Sequence, residues 1–239
     1  MTAGLHTVHV RVNDAATGKP TPCRIRLTDT AGNYYPPLGR LARFATGGGQ
    51  DVGGNLYWGD KEYAYIDGTC EVSLPAGPIV AEVSKGPEYV PCRQEVVLAP
   101  GKLALRLTIE RWADLRSDGW YSGDTWSHFL SPHAALLEAA AEDLAVVNVL
   151  AFDTLIFDEG GKQCPAIPNI LAFSGQQPAL EMPGHVVVVN TLNAHPVLGR
   201  LALLNCHRAV YPLSFGGPNG WDDWTLDAWS DQCPNNYEW

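Results

Sequence analysis

The sequence is short of positive charge. Sixteen Lys and Arg stand against 26 Asp and Glu, a formal net charge of −10, and the basic residues are scattered. A phosphate-reading surface needs clustered cations, so nucleic acid is not an expected partner. Long apolar runs are missing too: nothing approaches the roughly eighteen consecutive apolar residues of a membrane-spanning helix. The start, Met1-Thr2-Ala3-Gly4-Leu5-His6, lacks a basic segment followed by an apolar one, so a soluble, cytoplasmic protein is expected. None of the six cysteines falls in a Cys-x-x-Cys pair, which argues against a zinc knuckle and for reduced, mostly buried thiols. No Gly-x-Ser-x-Gly elbow occurs. Gly47-Gly48-Gly49 is not followed by Lys and Ser or Thr, so a phosphate loop is absent as well.

What is present suits a packed core. Hydrophobic residues make up 46% of the 239-residue chain and charged residues 18%, which argues against disorder and allows one large or two modest domains. Residues 5–110 carry a period of two. Thr7-Val8-His9-Val10-Arg11-Val12 alternates, as do Cys23 to Leu27, Cys70 to Leu74, Val80 to Val83, Glu95 to Leu98 and Leu103 to Ile109. Turn clusters such as Thr17-Gly18-Lys19-Pro20 and Pro75-Ala76-Gly77-Pro78 separate them. About seven short strands at this spacing predict an antiparallel, immunoglobulin-like β-sandwich over 1–112. Between Tyr34 and Ile66 the alternation fails, and an aromatic, glycine-rich insertion is expected to pack on a neighbour.

The texture changes after Trp112. Ser131 is suited to cap a helix from Pro132 to Asp143. Leu144 to Phe152 then reads as a strand buried on both faces, with similar runs at Val186 to Val189 and Leu201 to Leu204. Strand, helix, buried strand predicts an α/β domain with parallel strands over 113–239, and an α+β two-domain chain overall.

Within that second domain, Gly119 to His128 contains Asp124-Thr125-Trp126-Ser127-His128. An Asp-x-His-x-His run at a strand end sets alternate side chains on one face, where two imidazoles grip a divalent ion. Here the middle position is Trp126, whose indole nitrogen only donates. With Asp14 to Pro22, Gly86-Pro87-Glu88-Tyr89, Ala141-Glu142-Asp143-Leu144, Gly184-His185, Leu203 to Arg208 and Tyr211 to Trp224, the chain resembles the carbaryl-hydrolase and microcin-processing branch of the PHP-like metallohydrolases. The resemblance implies a sandwich followed by a (β/α) barrel that holds the metal. Such a barrel needs roughly 200 residues or more, and about 127 follow Trp112, so a partial barrel is expected.

The resemblance also implies metal-dependent hydrolysis of an amide, ester or carbamate, with Asp124 and His128 at the catalytic centre. His128, His185, Asp124 and Glu181 are the expected ligands of at most one weakly bound zinc or manganese. Gly175-Gln176-Gln177 carries an amide where the family has a bridging carboxylate, so activity is expected to be reduced or lost. Trp126, Gln177, His207 and Arg208 remain as candidate substrate contacts, while Asp153, Glu159 and His195 are read as loop residues. Two other readings stand beside hydrolysis. Five of the eight Trp lie in two acidic clusters, around Asp118 to Trp126 and Trp221 to Trp229, a composition suited to binding sugars or cationic small molecules. A partial barrel would also leave an apolar sheet face uncovered, which predicts a homo-oligomer.

Overall fold

The computed structural model describes residues 4–39, 55–99, 101–157, 163–195, 197 and 199–215. Strands dominate, as the period-two alternation predicts, and they divide between two compact units.

Met1–Phe44, Gly53–Ser122 and Leu137–Ala145 group as the first unit. Its strands are β1 (Leu5–Asp14), β2 (Cys23–Asp29), β3 (Asn55–Trp58), β4 (Lys61–Ile66), β5 (Thr69–Pro75), β6 (Gly77–Ser84), β7 (Tyr89–Val90), β8 (Cys92–Leu98) and β9 (Ala104–Arg111). One sheet has the order β5-β1-β9-β7 and the other β3-β4-β2-β6-β8. Alternate residues of both enter a single core that includes Val8, Val10 and Val12 of β1, Ile25 and Leu27 of β2, Ile79 of β6, and Leu107 and Ile109 of β9. Each such aliphatic side chain contributes about 1.5–3 kcal/mol by leaving water.

Two expectations need correction. The pairing is not wholly antiparallel, because β1 runs parallel to β9, with Val10 opposite Leu105. The stretch that breaks the alternation also contains a hairpin, β3–β4, in which Trp58 pairs with Lys61. Gly59, at φ 66°, supplies the positive φ that a two-residue turn demands.

Leu137–Ala145 belongs to the first unit through buried polar contacts. Lys85 Nζ donates to the carbonyl oxygens of Pro22, at 2.9 Å, and of Ala140. Arg111 reaches Glu88 at 2.6 Å and Asp143 at 2.7 Å. Arg24 pairs with Glu142, and the Tyr65 hydroxyl donates to the same carboxylate.

Ala45–Val52, Gly123–Leu136 and Val146–Trp239 form the second unit. Its described elements are β10 (Gly123–Ser127), the start of α1 (Pro132–Ala141), β11 (Val146–Ala151), β12 (Thr154–Phe157), β13 (Gln163–Ala166), β14 (Leu180–Met182), β15 (His185–His195) and β16 (Gly199–Leu203). Ser131 Oγ accepts the Ala134 amide at 3.2 Å, so the expected N-cap is in place. β10, β11 and β15 are parallel neighbours, and β11 is buried almost throughout.

The strand-helix alternation occurs only once among the described residues. Between β11 and β15 the chain forms the β12–β13 hairpin, a 3-10 turn at Ile170–Ala172 and β14, instead of a crossover helix. β16 is likewise not a buried parallel strand. It returns antiparallel on β15 and leaves Leu201 63% exposed.

No helix among the described residues is long and apolar enough to cross a membrane. Cys23, Cys70, Cys92 and Cys206 are free thiols, and only Cys23 is fully buried.

Candidate functional site

Strand register decides where the expected metal ligands lie. Ser127 of β10 sits opposite Val149 of β11, which sits opposite Val189 of β15. His128 therefore stands at the carboxyl ends of the parallel strands, whereas His185 opens β15 at the other end. At about 3.3 Å per residue the two backbone positions are offset by roughly 15 Å along the strands. Two ligands of one zinc must each lie about 2 Å from it.

Glu181 and His185 do not converge either. Met182 is the cross-strand partner of His185 and Glu181 that of Val186, so the two side chains leave opposite faces of the sheet. Asp124 Oδ1 accepts the Trp126 amide at 2.8 Å, within its own strand. That bond coincides with a break in register between Asp124 and Ser127, so the simple alternation an Asp-x-His-x-His grip requires is lost. Among the described residues no group of three His, Cys, Asp or Glu could hold a metal ion. The strand register does not bring His128, His185 and Glu181 together.

The structure gathers a different set at the carboxyl edge, where open parallel sheets place their ligands. The His128 ring lies 4.8 Å from that of Phe152 and 5.6 Å from that of Trp126, and Phe129 stacks edge-on against Phe152 at 5.2 Å. Trp126 is 47% exposed. His128 Nδ1 is buried without a hydrogen-bond partner, and so is Asp153 Oδ1. Burial holds the His128 imidazole below its ordinary pKa against an opposing hydrogen bond to the Leu150 backbone, so the ring is neutral at pH 7. Asp153 follows the end of β11, and burial raises its carboxyl to about 6 despite a hydrogen bond to the Thr154 backbone.

Asp153, which the sequence presents as a solvated carboxylate flanking a turn, is instead largely withdrawn from water. Its signal is position, directly after a strand buried on both faces, where a carboxylate has little water.

Its pH dependence has a definite sign. The folded-state pKa exceeds the ordinary aspartate value of 3.8, so Asp153 favours folding fully below about pH 4 and loses that contribution as pH rises through 6. Asp153→Asn is expected to be more stable than the parent at pH 8 by about 1 kcal/mol, after allowance for partial exposure. The gain should fade by pH 4. Urea melts at both pH values check this, and a pH-independent difference would refute it.

A chain of amides runs behind this edge. Asn190 Nδ2 donates to Asn148 Oδ1 at 3.0 Å, and the Asn205 amide donates to Asn190 Oδ1 at 3.1 Å. Gln176 Nε2 donates to the Asn205 carbonyl. Of the expected substrate contacts, Trp126 joins the ring cluster, while Gln177, His207 and Arg208 are exposed on the loops beside Asn205. His195 stacks on Phe215, and its Nδ1 accepts the Val197 amide. Glu159 and the cluster of Trp221, Trp224 and Trp229 lie outside the described residues.

No protein-family model and no curated protein matches this sequence. Among solved structures, the crystal structure of group B streptococcus pilus 2b backbone protein is similar over 48% of this chain and 43% of its own length. The identity is 19% and the TM-score 0.30.

Proposed function

We propose that this chain is an immunoglobulin-like sandwich followed by a partial PHP-like domain, and that it binds a small planar molecule at the carboxyl edge of β10 and β11. On this reading the hydrolytic activity implied by the resemblance has been lost. The observation that carries it is the pair of buried, unpartnered polar atoms, His128 Nδ1 and Asp153 Oδ1, at the edge that also holds the half-open ring cluster of Trp126, Phe129 and Phe152. Buried polar groups without partners favour a ligand that supplies them. The loss of hydrolysis is supported by the roughly 15 Å offset of the His128 and His185 backbone positions along the strands.

Titration with aryl carbamates and aryl esters, followed by tryptophan emission, tests the binding. Emission should change on addition and the change should vanish in Trp126→Phe. An emission unmoved up to millimolar ligand sinks the reading. The catalytic half is tested on Trp126→His loaded with zinc or manganese. Restoring the missing imidazole should not restore turnover, because His185 stands at the far end of the parallel strands and leaves the pair of imidazoles without it as a further ligand. Metal-dependent hydrolysis by that variant would show that the ligands do assemble.

A further inference from the structure

The five-stranded sheet of the first unit ends at β8, which has β6 on one side only. Among the described residues no main-chain hydrogen bond reaches its other side. An open edge invites a further strand, and the side chains along it decide which strand can pair there. Arg93, Gln94, Glu95 and Val97 are exposed along this edge, Val97 to 66%. Arg93 Nε stands 3.7 Å from Glu82 on a side chain that is otherwise 70% exposed. Glu95 has no ion-pair partner among the described residues.

The chemistry of this edge is symmetric about Gln94. Cys92 and Val96 lean on the core, so Arg93, Glu95 and Val97 share the outer face. Two strands related by a twofold axis normal to the sheet run antiparallel and keep like faces together. Such an axis passes through a residue, never between two. With the axis at Gln94, Arg93 meets the second copy's Glu95, Cys92 meets its Val96, and the exposed Val97 meets its Pro91. Each of these contacts occurs twice. An axis at Arg93 or at Glu95 would instead set like charges directly opposite each other, which destabilises a strand pair.

We infer that β8 is a self-association surface whose partner is a second copy of this chain, joined by antiparallel β8–β8 pairing centred on Gln94. The contact is closed, because each copy contributes its β8 edge once, so it yields a dimer and not a filament. It lies in the first unit and is independent of the ligand reading at the carboxyl edge of β10 and β11.

Sedimentation equilibrium of the full chain tests it, alongside Arg93→Glu, Glu95→Arg and the variant carrying both substitutions. The parent should dimerise with a dissociation constant of roughly 10–100 μM, as suits a short edge contact. Each single substitution sets like charges opposite each other twice and should weaken the dimer at least about tenfold. The double variant exchanges the two charges and should return to within about threefold of the parent. An equimolar mixture of the two single variants should form a heterodimer at concentrations where neither associates alone, because each supplies the charge the other has reversed. All the substitutions are at exposed positions, so circular dichroism should match the parent throughout. A parent that stays monomeric at about 1 mM overturns the inference and leaves the edge to some other strand. A dimer whose affinity is unchanged in both single variants also overturns it, by placing the contact elsewhere.

Discussion

Gly86→Ala is expected to lower the urea midpoint of the first unit by about 1–2 M, a loss of at least about 3 kcal/mol. Gly86 has φ 54°, a left-handed conformation that costs an L-residue about 1–2 kcal/mol. Geometry adds the larger part. A Cβ at this position would stand 2.9 Å from the Glu142 carbonyl carbon, 3.0 Å from Asp143 Cβ and closer still to the Glu142 oxygen. These are mostly backbone atoms, which cannot swing aside as a flexible side chain would. Separating the segments would also pull Lys85 from Ala140 and Arg111 from Asp143. Gly18→Ala is the control: its φ is 66°, and a Cβ there would meet nothing within 4 Å. It should lose only the conformational part, and equal losses in the two variants would show that the close approach contributes nothing.

Lys85→Met should cost about 2–5 kcal/mol. The Lys85 residue is 4% exposed, and its ammonium satisfies two carbonyls, Pro22 before β2 and Ala140 near the end of α1. Methionine keeps most of the apolar stem but donates nothing, so both oxygens lose their partner in a buried setting. The ammonium also offsets the negative end of the helix. Burial holds the lysine below its ordinary pKa, so the charge itself is costly here and its hydrogen bonds account for its presence. Chemical denaturation measures the difference, and a loss below about 0.5 kcal/mol would mean that water satisfies both carbonyls.

These two positions mark what the sequence conveys and what it hides. β1, β2, β5, β6, β8 and β9 are legible because their alternation reports a local fact, which face meets the core. The capped start of α1 and the buried run of β11 are local in the same sense. Register is not local. Nothing near His128 or His185 says that they stand at opposite ends of parallel strands, since that depends on how β10, β11 and β15 align. The Asp124 carboxylate turns back to the Trp126 amide for a reason equally invisible at the level of spacing. β3 and β4 escape notice because their aromatic residues break the apolar-polar alternation. Nothing in the sequence beside Lys85 and Gly86 says that residues 137–145 pack against them.

The parallel pairing of β1 with β9 carries a consequence for the way the chain is made. β1 is synthesised first and occupies an interior position of its sheet, between β5 and β9. Its neighbours arrive later, and β9 last of all. Val8, Val10 and Val12 therefore wait without their final cover while the intervening chain emerges over seconds. Closing so distant a pair is an intrinsically slow event. The pairing of β1 with residues about a hundred positions downstream is a non-local contact, and such contacts slow the folding of the sheet that depends on them.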